Sequence, residues 1–233
     1  MGPLTNAETP AGALLTVLAT PIGNLEDVSR RAERALRECD VVVAEDTRRT
    51  RILLRSLGIE RPVISLPAFD EERRVPALLA RLEAGQRLTL CTDAGTPAIS
   101  DPGSRLVAAA HRAGITVTVV PGPSAVTAAV SGSGLGGGGG FVFLGFPPRS
   151  PGRLRRTVEA ALGLGVPVVL FEAANRLAKT LELIEPLLGE RPVVLARELT
   201  KVHETFHRGT ARELAEELRR QPPRGECTVV IGT

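Results

Sequence analysis

Residues 92–103 read Thr-Asp-Ala-Gly-Thr-Pro-Ala-Ile-Ser-Asp-Pro-Gly, which puts two carboxylates, two glycines and two prolines into twelve positions. Glycine and proline together fix an unusual backbone path and let a ligand come close to main-chain groups. Similar loop signals occur at Pro21-Ile22-Gly23-Asn24 and Pro121-Gly122-Pro123-Ser124, and Glu45-Asp46-Thr47 adds two more carboxylates. None of these stretches carries the lysine of a phosphate loop. Neither G-x-x-x-x-G-K-[ST] nor a G-x-G-x-x-G after the first strand is present, which argues against a ligand gripped by its phosphates. Loops bearing Asp and Thr suit hydroxyls, amides or positive charge, and an adenosyl ligand with a sulfonium and an ammonium fits that description.

Three other groupings bear on chemistry. His203-Glu204-Thr205-Phe206-His207 has the spacing of a zinc-binding H-E-x-x-H. That motif works only on a helix, and Gly209 with the β-favouring Thr200, Val202 and Thr205 points to extended chain, so no metal is expected. Arg149, Arg153, Arg155 and Arg156 cluster where RNA phosphates could be met, although such a run is also an ordinary solvated face. Glu198 and Lys201 sit three residues apart after an apolar run, either a structural ion pair or a reactive one.

The elements that position these residues follow from hydrophobic pattern. Apolar runs at Ala13–Thr20, Val41–Ala44, Val63–Leu66, Leu88–Cys91 and Thr116–Val120 alternate with helical patterns. One helix is capped by Ser29, one is closed by Gly58, one covers Val75–Ala84, and one ends at Gly114. This order predicts a mostly parallel sheet covered on both faces, with the candidate loops on its carboxyl edge. Gly132-Ser133-Gly134-Leu135 and Gly136–Gly140 read as a linker over 132–140. It separates a domain at 13–131 from one at 141–233, with residues 1–12 a disordered tail. In the second domain strands are expected at Phe141–Leu144, Val168–Phe171, Val193–Arg197 and Cys227–Ile231. A helix capped by Asn175 should run to Leu188, Lys201–Arg208 should lie on an antiparallel ribbon or loop, and Thr210 to Glu213 form a capping box. The fold class is therefore α/β in both domains, with a mixed second sheet.

The 233 residues carry a formal net charge of +3, all of it in the second half, with six Phe and no Trp or Tyr. A polyanionic partner is permitted, and phosphates and shape rather than stacked bases should dominate its recognition. No uncharged run is long enough to span a membrane, no leader pattern precedes residue 13, and three scattered cysteines form neither a disulfide framework nor a zinc site. A cytoplasmic protein without membrane contact is expected.

Taken together, Ala19 to Asp27, Ala44 to Arg48, Asp93 to Pro97 with Asp101 to Gly103, Pro121 to Ala125, Gly145 to Pro148 and Ala196 to Lys201 resemble the ribosomal RNA small subunit methyltransferase I family. This is a branch of the tetrapyrrole methylase superfamily, and the resemblance covers about residues 13–231. It implies S-adenosylmethionine as cofactor, the ribose 2′-hydroxyl of a cytidine in the decoding region of 16S rRNA as acceptor, and the small ribosomal subunit as partner. It also implies a homodimer of chains with two α/β domains and the cofactor between those domains. By motif, Pro21, Ile22, Gly23, Asp93, Ala94, Gly95, Thr96, Ile99, Ser124 and Ala125 would contact the cofactor, and Phe171 and Ala196 would close over it.

A ribose hydroxyl attacks a sulfonium methyl only when a base takes its proton or a nearby cation favours the alkoxide. Lys201 with Glu198 is the first choice for that role and Asp46 the second. Three segments depart from the family pattern. Leu135 and five glycines replace Leu-Pro-Ser/Thr-Asp-Arg-Phe, Pro67 to Glu71 replace a His-rich stretch ending Asn-Glu, and Ala173 to Arg176 replace Ser-x-His-Arg. They leave two alternatives open: a small-molecule methyltransferase of the tetrapyrrole type, and an RNA-binding factor without catalysis.

Overall fold

The computed structural model describes residues 12–136, 138–223 and 225–233. All but Gly12 of the tail expected at 1–12 lies outside them. The chain divides into two compact units, Met1–Ser124 and Ala125–Thr233.

The first unit runs β1 (Leu14–Leu18), α1 (Arg30–Glu38), β2 (Val41–Ala44), α2 (Thr47–Ser56), β3 (Val63–Ser65), α3 (Glu71–Glu83), β4 (Arg87–Cys91), α4 (Ser104–Arg112) and β5 (Thr116–Val120). Its strands pair in the order β3-β2-β4-β1-β5, every pair parallel. Near-continuous apolar strands demand cover on both faces, and the four residues of β2 are all buried. Leu15, Val17, Val43 and Leu90 pack with Leu78 and Leu82 of α3 and Leu106 of α4. Leu18, Val42 and Cys91 pack with Leu36 of α1 and Leu53 and Leu54 of α2. Parallel pairing sends every strand's carboxyl end to one edge. The chain leaves β1 past β4 toward β2 and leaves β4 past β1 toward β5, and these connections carry α1 and α4 on opposite faces, which makes this edge the switch point of the sheet.

Local side chains cap two of these helices, the one at Ser29 where the sequence predicts it. The Ser29 hydroxyl accepts the Ala32 N–H at 3.1 Å, and Asp46 accepts the Arg48 N–H at 2.8 Å. The helix expected from Val75 begins four residues earlier at Glu71, because its first turn is polar and adds nothing to the apolar pattern. Glu71 also has a distant task. α4 follows Gly103, which has φ 127° and no side chain to cap with, and the 8% exposed Glu71 carboxylate accepts the N–H groups of Gly103 and Arg105, both at 3.0 Å. A Cβ on Gly103 would stand 2.6 Å from Leu90 Cδ2, so only glycine fits there.

The second unit runs α5 (Ala125–Ser133), β6 (Val142–Phe143), α6 (Pro151–Leu162), β7 (Val168–Ala173), α7 (Ala174–Leu188), β8 (Val193–Arg197), β9 (Thr205–Gly209), α8 (Ala211–Arg220) and β10 (Glu226–Ile231). Its sheet, β6-β7-β10-β8-β9, is mixed, with only β6 and β7 paired in parallel. α6, α7 and α8 bury Leu154, Leu181 and Leu214 against one face, in a core with Leu170, Leu195 and Val229. α8 opens with the predicted capping box, both of whose bonds are made.

Two expectations change here. The units divide between Ser124 and Ala125, not at 131/132, because α5 belongs to the second unit and runs through Gly132 and Ser133. Gly132 is a packing residue: a Cβ there would strike the Phe206 ring. The Arg208 guanidinium donates to the carbonyls of Ser133 and, at 2.9 Å, Gly132, and so caps the carboxyl end of α5. Of the expected linker, Gly138, Gly139 and Gly140 have open space around them, and Gly137 lies outside the described residues. The second change is at α7, where Asn175 lies inside the first turn and Ala173 precedes the helix. The buried Glu172 supplies the acceptor instead, taking the Ala173 N–H at 2.9 Å and the Thr180 hydroxyl at 2.6 Å, with Arg176 at 3.3 Å.

Replacing Glu71 tests the trans cap. Glu71→Ala leaves two helix-start N–H groups without their acceptor and should lower unfolding free energy by about 2–3 kcal/mol, whereas Glu71→Gln keeps one acceptor and should cost about 1 kcal/mol. Urea denaturation of the two variants beside the parent checks both the size and the order.

Candidate active site

The three glycine- and proline-bearing loops meet at the carboxyl edge of the first sheet. Thr20 and Gly95 exchange main-chain hydrogen bonds at 2.8 and 3.0 Å, an isolated antiparallel bridge that ties the loop after β1 to the loop after β4. The Thr20 hydroxyl donates to the Thr92 carbonyl at 3.1 Å, and the Thr96 hydroxyl donates to the Pro123 carbonyl at 3.3 Å. Gly95, at φ 83°, leaves room that a Cβ would fill, 3.5 Å from Ile22 Cγ2 and 3.8 Å from the Pro123 oxygen. Ile22, Asp93, Ala94, Gly95 and Thr96 are thereby gathered, with Pro21 and Gly23 on the first loop and Ser124 closing the third. Ile99, 45% exposed, lies farther along the second loop, and Ala125 begins α5. Ala98 and Ser100 hold φ of 67° and 65°, a conformation that costs free energy in any residue with a Cβ and tends to mark functional loops.

This edge is acidic. Asp93 accepts the Asp46 N–H at 3.0 Å and faces Arg49 at 3.5 Å. Burial pushes the Asp101 carboxyl up to about 6, and the charges of Glu45 and Asp93 add to the shift. Glu45 is raised as well, by burial and then by Asp93. The buried Thr92 hydroxyl approaches Asp101 without completing a regular hydrogen bond. Three carboxylates competing for charge around a glycine cradle are relieved by a cation, which fits the ammonium and sulfonium of S-adenosylmethionine. The sequence places Asp101 in the central stretch but carries no sign of its burial, which is a through-space property.

Asp46 is not suited to take a proton. It caps α2, and its carboxylate sits in the Arg48 fork at 2.6–3.2 Å, whose hydrogen bonds hold it down to about 2. Phe69, following β3 at this same edge, is 93% exposed and was also missed, because a single aromatic in a polar stretch carries no periodic signal.

In the second unit, Phe171 and Ala196 are both register partners of Thr228, and Phe206 is the partner of Ala196. Directly paired residues share a sheet face, so these four form one row. Phe171 meets Phe143 edge-on at 4.9 Å and the 62% exposed Phe146 at 5.5 Å. Beyond β8 the chain turns sharply, with Glu198 and Thr200 at φ 52° and 65°. The Lys201 ammonium donates to Glu198 at 2.9 Å and Glu226 at 3.0 Å, while Glu198 also accepts the Glu226 N–H at 2.9 Å. Burial alone would depress the lysine, but the two carboxylates outweigh it and the pKa rises. Glu198 is lowered, chiefly by the Glu226 N–H and then by Lys201. Lys201 is thus a fixed cation rather than a proton acceptor.

Arg149, Arg153, Arg155 and Arg156 are all exposed on or beside α6, with Arg153 bonded to Ser150 Oγ at 3.1 Å and Arg155 to the Leu183 carbonyl at 2.9 Å. The H-E-x-x-H string lies on a turn and β9, with His207 Nδ1 2.8 Å from Glu217. Among the described residues no group of three or more His, Cys, Asp or Glu could hold a metal ion.

Asp101 makes a pH prediction with a definite sign. Its folded pKa of about 6 lies above its ordinary 3.8, so the folded state keeps a proton that the unfolded state has lost between those values. Stability from this group is complete below pH 4 and declines as pH rises through 6. Asp101→Asn should therefore melt higher than the parent at pH 7.5, with the difference closing near pH 4, in thermal scans across that range.

Comparison with known proteins identifies the family and the fold. The family model for tetrapyrrole (corrin/porphyrin) methylases matches residues 14–215. A ribosomal RNA small subunit methyltransferase I from Thermotoga maritima is 43% identical over 93% of this chain and 97% of its own length. A protein of that name from Escherichia coli O157:H7 is 41% identical over 93% of this chain and 77% of its own. Solved structures share the fold at lower identity. The methyltransferase CobJ superposes with a TM-score of 0.73 at 18% identity, covering 95% of this chain and 94% of that one. Uroporphyrin-III C-methyl transferase from Thermus thermophilus, complexed with S-adenosyl homocysteine, gives 0.67 at 22%, covering 95% and 97%. With its acidic glycine-cradled edge and these relatives along nearly its whole length, the chain belongs to the ribosomal RNA small subunit methyltransferase I family of the tetrapyrrole methylases.

Proposed function

We propose that this chain, an S-adenosylmethionine-dependent rRNA methyltransferase by its family, methylates the ribose 2′-hydroxyl of a cytidine in the decoding region of 16S rRNA. The observation that carries the reading is the convergence of three sequence-distant loops around Gly95 beside Asp93, Glu45 and Asp101. The cofactor supplies a methyl group on a cationic sulfur. Pro21, Ile22, Gly23, Ala94, Gly95, Thr96, Ile99, Ser124 and Ala125 offer main-chain groups and small surfaces to hold it, and the carboxylates favour its positive charge. Phe171 and Ala196 are assigned to close over it, the partly exposed Phe171 ring supplying the apolar surface and the buried Ala196 standing in the same row behind it.

The protein's remaining work is to align a hydroxyl with the methyl and to favour loss of the hydroxyl proton. Lys201, held protonated by Glu198 and Glu226, is assigned to stabilise the developing alkoxide electrostatically. Phosphate contacts are assigned to Arg149, Arg153, Arg155 and Arg156, and the exposed Phe69 ring offers a surface on which an unstacked base can rest. Such a substrate is the small ribosomal subunit, which would place the enzyme in the cytoplasm. Among the described residues no helix is long and apolar enough to cross a membrane. A homodimer is the expected assembly, to be read by sedimentation.

The small-molecule alternative lacks a supporting observation beyond the shared fold, and exposed arginines favour a polyanion. The test is transfer of labelled methyl from S-adenosylmethionine to small subunits lacking the modification, followed by alkaline hydrolysis. Label in an alkali-resistant dinucleotide is the expected result. Absence of incorporation into subunits and naked rRNA, with cofactor binding retained, would favour the small-molecule enzyme, and loss of cofactor binding would favour the non-catalytic factor. In the same assay Lys201→Ala should lower turnover by about a hundredfold with cofactor affinity unchanged.

A further inference from the structure

The α1–α2 face of the first unit carries a charge arrangement that methyl transfer leaves unexplained. α2 has four arginines and no acidic residue. Arg48, Arg51, Ile52 and Arg55 fall at i, i+3, i+4 and i+7 and are all exposed, so they make one stripe along the helix. Arg48 is tied to Asp46, but among the described residues the Arg51 guanidinium meets only the Thr47 hydroxyl, at 3.5 Å. The Arg55 guanidinium has no hydrogen-bond or ion-pair partner among the described residues. Ile52 is 60% exposed between these guanidiniums.

At the far end of α2 the stripe runs into a recess of about 670 Å³ whose lining includes Arg37, Arg55, Arg61 and Glu60. Main-chain carbonyls orient its cations. Arg37 donates to Leu57 at 2.6 Å and Gly58 at 3.3 Å, and Arg61 donates to the carbonyls of Arg37 and, at 3.1 Å, Glu60. Of these arginines, Arg37 alone has a carboxylate partner among the described residues, Glu33 at 2.8 Å. Guanidiniums held by carbonyls keep their full charge and part of their donor capacity.

We propose that this stripe and recess form a track for the sugar-phosphate backbone of the RNA substrate, leading to the acidic edge where the methyl donor is assigned. The inference rests on the RNA reading above. Charge complementarity favours a polyanion, and continuity with the site gives it direction. α2 begins directly after β2 at that edge, and its cap Asp46 is hydrogen-bonded to Asp93 of the central loop. Arg51 and Arg55 are one turn, about 6 Å, apart along the axis, which sets neighbouring guanidiniums against neighbouring phosphates of an extended strand. The track holds no aromatic ring, so its contacts position the strand without reading its sequence.

The test is a variant carrying R51Q, R55Q and R61Q, which keeps helix-forming side chains of similar reach, beside the charge reversal R51E with R55E. Methylation of small subunits is measured over a range of salt, with cofactor affinity and melting temperature read on the same samples. For the glutamine variant we expect KM for subunits to rise at least tenfold with kcat and cofactor affinity near the parent values. The slope of log affinity against log salt should shrink by about 2, as three lost single-strand phosphate contacts imply. The reversal should raise KM further. Unchanged KM and salt slope in both variants, with the parent active on RNA, would overturn the track and leave the methylation reading intact. No methylation or binding of RNA by the parent would overturn both.

Discussion

The central loop is pinned at its two ends by interactions that reach far along the chain. At its start, Gly95 pairs with Thr20 through the main chain, and at its end the Glu71 carboxylate holds the Gly103 and Arg105 N–H groups. Each clamp has an evident physical source. The first is an antiparallel bridge that satisfies the main-chain groups of both loops just past β1 and β4, and the second satisfies helix-start donors that Gly103 cannot reach. Between them the backbone enters left-handed conformations at Gly95, Ala98, Ser100 and Gly103, which an untethered loop would relax. The strand order then decides where the loop sits, because the connections after β1 and β4 run to opposite faces of the sheet and leave these loops side by side at its switch point.

Charge is segregated within the first unit. Its halves of acid and base are equal in number over the first 121 residues, yet carboxylates crowd the carboxyl edge while arginines line α1 and α2. The acidic edge suits a small cation, and it is kept acidic by modest penalties on Glu45 and Asp101. The basic face suits a long anion. A net charge near zero therefore conceals two opposite binding preferences, and only their placement distinguishes them.

The second unit repeats one device and adds another. Glu172, like Glu71, is a buried carboxylate serving the start of a helix, here α7, with Thr180 and Arg176 satisfying its remaining capacity. Lys201 shows the opposite arrangement, a cation fixed between carboxylates from a turn and from β10. The price in conformation is visible in the positive φ of Glu198 and Thr200, and Gly225 must be glycine because a Cβ would strike the Glu198 carboxylate.

Sequence alone determined what depends on near neighbours. Alternating apolar runs and helical periods dictated the parallel first sheet and mixed second sheet, and the caps at Ser29 and Thr210 formed as read, because each bond spans three residues. The motif residues around Pro21, Asp93 and Pro121 were legible as loop ends on one edge, since parallel strands leave no other place for them. Tertiary structure decided what depends on residues remote in the chain. Glu71 rather than Gly103 caps α4, Glu172 rather than Asn175 serves α7, and Gly132 packs on Phe206 instead of loosening a linker. Proton affinity belongs to the same class: Asp101 is raised by burial and by Glu45, and Lys201 is held charged by Glu226, 25 positions away. Burial and Coulomb energy are set by distance in space, which a local pattern does not encode.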